Sequence, residues 1–150
     1  MRILVTGGAG FIGANLVRRL LDVGHMVRVL DNLSAGRRAY LERLPLELIK
    51  GDVLDAEVVA QALQGVDGVV HLAAQTGVPG SLLDPYQDCK TNVLGTLNML
   101  EAARHADVKR FVFASSNAPL GRQPPPATED KAPLPVSPYG ASKLAGEGYS

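Results

Sequence analysis

The chain has one cysteine, no tryptophan, an aromatic content of 5% and no net charge. Each shortage excludes something. A lone thiol, Cys89, cannot close an internal disulfide, so the expectation is a cytoplasmic protein with reduced thiols in which Cys89 is an inert packed side chain. Fifteen Lys and Arg against fifteen Asp and Glu leave no basic face for nucleic acid or an anionic membrane. Any anionic ligand must therefore be held locally by a few groups. No apolar run reaches the length of a membrane span, and Met1 to Gly10 lacks the charged-then-apolar layout of an export signal. What is plentiful is glycine (16) and proline (10), which points to frequent turns and close backbone approaches. With 150 residues, 46% of them hydrophobic, the length allows one domain.

Short β-branched runs alternate with segments of helical period, the pattern of a parallel sheet covered by helices on both faces. Strands are predicted at Arg2–Thr6, His25–Leu30, Leu46–Gly51, Val66–His71 and Val108–Ser115. Between the first two, Ile12, Leu16, Leu20 and Val23 recur at helical spacing and predict the buried face of a helix over residues 11–23, stopped by Gly24. Asp55 is placed to cap a short helix to Leu63, and a long helix is predicted from Pro85 to His105. Seven of the ten prolines fall between Pro119 and Pro138, a loop of restricted conformation. Ser137 followed by Pro138 fits the start of a last helix. That helix runs to Ser150 without a closing glycine or proline, so the chain is expected to stop inside a larger fold.

Directly after the first strand stands Thr6-Gly7-Gly8-Ala9-Gly10-Phe11-Ile12-Gly13, opening the first helix. Glycines there allow a sharp turn and close approach of backbone to a pyrophosphate, while the helix N-terminus offers free N–H groups. Asp31 ends the second strand 21 residues after Gly10, where a carboxylate accepts from adenine-ribose hydroxyls and repels a 2′-phosphate. The two features together predict a dinucleotide site and favour NAD; Arg37 and Arg38 read as a solvated surface pair. The glycine spacing and the form of the loop resemble the short-chain dehydrogenase/reductase superfamily in its extended branch, the nucleotide-sugar epimerases and dehydratases. Asp31-Asn32-Leu33, Asp52-Val53, His71-Leu72-Ala73-Ala74-Gln75 and Thr91-Asn92-Val93-Leu94-Gly95-Thr96 match further stretches of that branch, over the whole chain. The resemblance implies a doubly wound Rossmann fold ending before strand six and the substrate domain, with residues 1–150 as a partial NAD-binding domain. It also implies cofactor contacts from Gly7, Gly10, Phe11, Ile12, Gly13, Asp31, Asn32, Asp52, Val53, Leu72, Ala73, Ala74 and Thr91, the last facing the cofactor, and from Tyr139 and Lys143.

Tyr139-Gly140-Ala141-Ser142-Lys143 places a phenol and an ammonium four residues apart on one helical face. By the same resemblance Tyr139 is general base and acid toward a sugar hydroxyl, Lys143 favours the phenolate and anchors the cofactor, and Ser116 hydrogen-bonds the reacting oxygen. Ser115 reads as a strand-end hydroxyl satisfied by backbone. His71, at the end of a buried strand, reads as a satisfied core histidine, and no His, Cys or Asp spacing suggests a metal. After Ser116 come Asn117 and Ala118, where the branch's dehydratases carry Asp-Glu and its decarboxylases Glu. The set that remains supports reversible hydride transfer, as in a 4-epimerase of a UDP-sugar. Leu120 in place of a tyrosine and Thr76 in place of a lysine leave the sugar open. Two other readings stay open, an NAD-binding module without turnover and a dehydratase or reductase of the same branch. A homodimer through the Pro85–His105 helix and the last helix is the family's usual assembly.

Overall fold

The computed structural model describes residues 1–150. Five strands form one all-parallel sheet: β1 (Arg2–Thr6), β2 (Met26–Asp31), β3 (Glu47–Lys50), β4 (Gly68–His71) and β5 (Phe111–Phe113), in the order β3-β2-β1-β4-β5. The order reverses beside β1. Ligands of doubly wound sheets bind at that switch point, outside the carboxyl ends of the strands.

Successive residues of a strand point to opposite faces, and β1 sorts two cores accordingly. Ile3 and Val5 join Val27, Val29, Ala14 and Val17 beneath α1 (Phe11–Asp22). Leu4 joins Leu30, Val69, Val59, Leu63 and Met99 beneath α2 (Ala56–Ala62) and α5 (Gly95–His105). Arg28 stands on this second face although it is 9% exposed. Its Nη1 donates to the carbonyls of Ala62 and Gln64, both at 2.8 Å, and its Nε to Glu47 at 2.7 Å. The guanidinium thus supplies donors to carbonyls at the end of α2 that the helix leaves orphaned. Arg28→Met, which keeps the bulk and removes the donors, is expected to lower unfolding stability by about 1–3 kcal/mol, read as a lower urea midpoint.

Several elements differ from expectation. The face of α1 that is buried consists of Gly13, Ala14 and Val17, with Leu16 and Leu20 at its edge. Ile12 and Val23 are 69% and 49% exposed, because small residues are what let the start of this helix approach the glycine loop. The residue Gly24 does end α1, adopting φ +84°. β5 is three residues long and ends before Ser115, because its only partner is the four-residue β4. An unexpected helix, α3 (Val78–Leu83), follows β4. The long Pro85–His105 helix forms as α4 (Pro85–Cys89), one wide π-type turn over Lys90–Leu94, and α5. Asp55 caps α2 and Ser137 caps α6 (Pro138–Tyr149) through their side chains, as predicted. No helix is long and apolar enough to cross a membrane.

Candidate active site

The loop between β1 and α1 is shaped by contacts that only glycine permits. A Cβ on Gly13 would lie 2.3 Å from the Gly7 carbonyl oxygen and 2.6 Å from Gly8 Cα, both rigid backbone. Gly10 is different. A Cβ there would meet nothing but the Gly7 oxygen, at 3.2 Å, so the protein itself leaves the space in front of Gly10 clear. The N-terminus of α1 carries no side-chain cap and no acidic residue in its first turn, and Phe11 and Ile12 flank it with 81% and 69% of their surface exposed. Uncapped N–H groups facing a cleared approach suit the pyrophosphate of a dinucleotide. Asp31, 7% exposed, accepts from Ala9 N and Leu33 N, each at 2.8 Å. A carboxylate has roughly four lone-pair sites. Those two bonds fix its orientation and leave acceptor capacity for a diol.

Asn32 and Asp52 form a polar rim at the ends of β2 and β3, with Asn32 Nδ2 donating to Asp52 Oδ2 at 2.8 Å. Val53, the other member of the predicted adenine pair, is 4% exposed and packs its side chain in the core, so any contact it makes with the adenine is through its backbone. Arg37 and Arg38 are exposed, as expected of a surface pair.

Behind the loop runs a chain of buried polar groups. The Thr96 hydroxyl donates to the Asn92 carbonyl at 2.7 Å, so the hydrogen shared between His71 Nε2 and Thr96 Oγ1 at 3.1 Å must sit on the imidazole. His71 Nδ1 is therefore an acceptor, and the Thr6 hydroxyl donates to it at 2.7 Å. Thr6 Oγ1 in turn accepts from Leu72 N and Ala73 N, both at 3.1 Å, which fixes the backbone of the loop containing Leu72, Ala73 and Ala74. This histidine is 1% exposed, and both of its ring nitrogens are engaged. Burial first, and the Lys143 charge second, push its pKa down to about 3. Because the unfolded chain binds that proton near the ordinary value of 6.5, stability is full at pH 7 and falls as pH drops through 6.5 toward 3. Between pH 7 and pH 4.5 the loss from this group is about 3 kcal/mol, at ~1.36 kcal/mol per pH unit. His71→Gln is expected to remove that part of the pH dependence; urea titrations of both chains at the two pH values check it.

The helix α6 sits tightly on β5, since a Cβ on Gly146 would lie 2.4 Å from Phe113 Cζ. The close seating brings Lys143, 4% exposed, to the carboxyl end of the sheet, where Nζ donates to the Ala114 carbonyl at 2.8 Å. The ammonium lies 4.8 Å from the centre of the Phe113 ring and 6.0 Å from that of Tyr139. Burial draws its pKa down to about 8, against the opposing pull of the Asp88 carboxylate. Ser116 follows β5, and its Oγ accepts from Ala118 N at 3.1 Å. A cleft of about 420 Å³ opens beside it, lined also by Leu120, Glu129, Lys131 and Glu147. Ser115 is held by the Glu147 carboxylate of α6 rather than by backbone, because it lies beyond the end of the ladder.

Thr91 Oγ1 accepts from Gln87 Nε2 on its own helix at 2.9 Å, while Asn92 turns toward the loop after β4, exchanging bonds with both the N–H and the carbonyl of Gln75 at 2.8 and 3.0 Å. One further expectation changes. Cys89 is exposed, since the buried face of the helix passes through Asp88 instead. Asp88, Asn92 and Thr96, each 1% exposed, were missed by sequence reasoning. Their signal is the four-residue spacing of three polar side chains along one helix, which places them on one face.

The chain matches the model of the "NAD dependent epimerase/dehydratase family" over residues 3–150. It is 45% identical to the UDP-glucose 4-epimerase of Mycolicibacterium smegmatis, covering 99% of this chain and 50% of that protein. It is also 46% identical to a 3 beta-hydroxysteroid dehydrogenase/Delta 5-->4-isomerase of Mycobacterium tuberculosis, over 78% of this chain and 32% of the other. Among solved structures, the Thermus thermophilus UDP-glucose 4-epimerase in complex with NAD superposes with a TM-score of 0.95 at 45% identity, over 99% of this chain and 49% of the other. The chain thus spans about half the length of the relatives it matches. A family match across nearly every residue, carried by a fold with the same switch point and glycine loop, means that this chain belongs to the NAD dependent epimerase/dehydratase family.

Proposed function

We propose that residues 1–150 are the NAD-binding portion of a nucleotide-sugar 4-epimerase acting on a UDP-sugar, with UDP-glucose and UDP-galactose as the first pair to test. One observation carries the reading. The uncapped start of α1 and the Tyr139–Lys143 face of α6 both stand at the carboxyl edge of one sheet, with Lys143 Nζ on the Ala114 carbonyl, the first beyond β5. NAD bound there supplies a hydride acceptor and donor. The chain's own groups do the rest. N–H groups of Phe11, Ile12 and Gly13 face the pyrophosphate, Asp31 and Asn32 the adenosine ribose, and Asp52 the adenine side. The small residues Ala73 and Ala74 leave room along the loop held by Thr6 and Asn92. Tyr139 takes the proton from the sugar hydroxyl and later returns it, Lys143 stabilises the phenolate, and Ser116 orients the reacting oxygen in the cleft beside it.

The absence of acids at Asn117 and Ala118 favours epimerisation over dehydration, because elimination of water needs its own acid and base. Asp31 favours NAD over a 2′-phosphorylated dinucleotide. That the chain spans half the length of its relatives favours one second reading, a module that binds NAD without turnover. Titration with NAD followed by an assay of UDP-glucose and UDP-galactose interconversion tests both. Binding with turnover supports the epimerase, binding alone supports the module, and dehydrated sugar without 4-epimer overturns the assigned reaction. The relatives' chemistry and the single thiol also favour a cytoplasmic protein. Exposed Tyr86, Leu94 and Tyr149 on the helices concerned favour the homodimer, for which the mass in solution is the test.

A further inference from the structure

Asp88 lies on α4 where that helix packs against α6, and it is 1% exposed. No cation pairs with it; the chain's ion pairs are Arg28–Glu47, Arg104–Glu101 and Lys109–Asp107. Its Oδ1 accepts from Asn92 Nδ2 at 3.0 Å, and the same amide reaches the Ser142 Oγ at 3.1 Å, one residue before Lys143. The amide cannot be turned over, because its oxygen is held by Gln75 N at 2.8 Å. Its two hydrogens face three acceptors, Asp88 Oδ1, Ser142 Oγ and the Gln75 carbonyl, so the carboxylate shares this donor and its charge is met by no ion pair. A buried, unpaired carboxylate is costly, and this one is set behind the face that carries Tyr139 and Lys143.

The charged and titratable groups around the Lys143 ammonium are few. His71 on β4 is kept neutral by burial, Glu147 on α6 is engaged by Ser115, Tyr139 shares the helix, and Asp88 stands on α4 where it packs against α6, two hydrogen bonds from the Ser142 hydroxyl beside Lys143. We propose that Asp88 is a positioning residue for Lys143, whose negative charge across the α4–α6 contact holds the buried amine in its ammonium form. The ammonium is the form that favours a phenolate on Tyr139, so this role rests on the reading of those two residues as the reacting pair. Burial draws the Lys143 pKa down to about 8, and the Asp88 carboxylate opposes that fall, adding to the Ala114 carbonyl and the Phe113 ring that already face the ammonium.

The test is a titration of the Lys143 ¹³Cε resonance in the 150-residue chain and in Asp88→Asn, which keeps an acceptor for Asn92 and removes only the charge. The Lys143 midpoint is expected to fall by roughly half a unit or more in the variant, with the alkaline limb of any turnover profile moving down in parallel. An unchanged midpoint in a folded variant overturns the proposal. In the unmutated chain, a ¹³Cγ shift showing Asp88 as a carboxylate at pH 7 supports it and one showing a carboxylic acid overturns it, so the outcome does not depend on the variant folding. Neither reading requires NAD or sugar. A shifted midpoint without epimerisation counts against the assigned function alone, and epimerisation with an unshifted midpoint counts against Asp88 alone.

Discussion

Tyr139→Phe is expected, on the proposed epimerase reading, to lower interconversion of UDP-glucose and UDP-galactose by about 10²–10⁴-fold, the usual contribution of a positioned acid–base group, while sparing the affinity for NAD. The substitution deletes one oxygen and leaves the ring near Lys143. The groups proposed to hold the dinucleotide, the start of α1 and Asp31, belong to other elements and keep their hydrogen bonds. Calorimetric titration with NAD beside a coupled epimerase assay separates the two effects. Equal losses in both would contradict the division of labour between the glycine loop and α6.

The second large effect is expected at Gly13. Alanine there forces a carbon to 2.3 Å from the Gly7 oxygen and 2.6 Å from Gly8 Cα, and neither neighbour is a flexible side chain that could swing aside. The loop must open or α1 must move off the sheet. Overpacking of this kind costs about 1–3 kcal/mol or more, which in a domain of this size lowers Tm by roughly 2–4 °C per kcal/mol. NAD affinity should fall with it. Gly10→Ala supplies the contrast. Its added carbon meets only one atom, at 3.2 Å, so stability should hardly change, yet the methyl group intrudes where the pyrophosphate is proposed to lie. If Gly10→Ala binds NAD normally, the cleared approach in front of Gly10 has another purpose.

Much of this was legible in the sequence for local reasons. The glycine loop between a β-branched run and an amphipathic helix, the Asp31 position, the Asp55 and Ser137 caps and the alternation of strands with helices all follow from patterns that act over a few residues. Other features depend on what arrives from elsewhere in the chain. Ile12 satisfies helical periodicity but is exposed, because Gly13 and Ala14 bring the helix close to the loop and leave Ile12 on its outer side. Ser115 looked like the end of a strand, yet the four-residue β4 stops the ladder at Phe113 and leaves the hydroxyl to Glu147. The wide turn over Lys90–Leu94 aims Asn92 at the Gln75 backbone, a contact the motif around Thr91 does not specify by itself. Such turns recur at functional sites because they re-aim side chains without ending the helix. The direction of the Thr6–His71–Thr96 hydrogen bonds was beyond the sequence, since it emerges only when each hydroxyl proton is counted in three dimensions.

The most direct test is a ¹H–¹⁵N spectrum of the uniformly labelled chain recorded during addition of NAD. Saturable shifts are expected at the amides of Gly7 to Gly13, Asp31 to Leu33, and Leu72 to Ala74, with Phe11, Ile12 and Gly13 moving most because their N–H groups are proposed to meet the pyrophosphate. Unchanged amides in the glycine loop at millimolar NAD, or shifts confined to another surface, would contradict this placement of NAD.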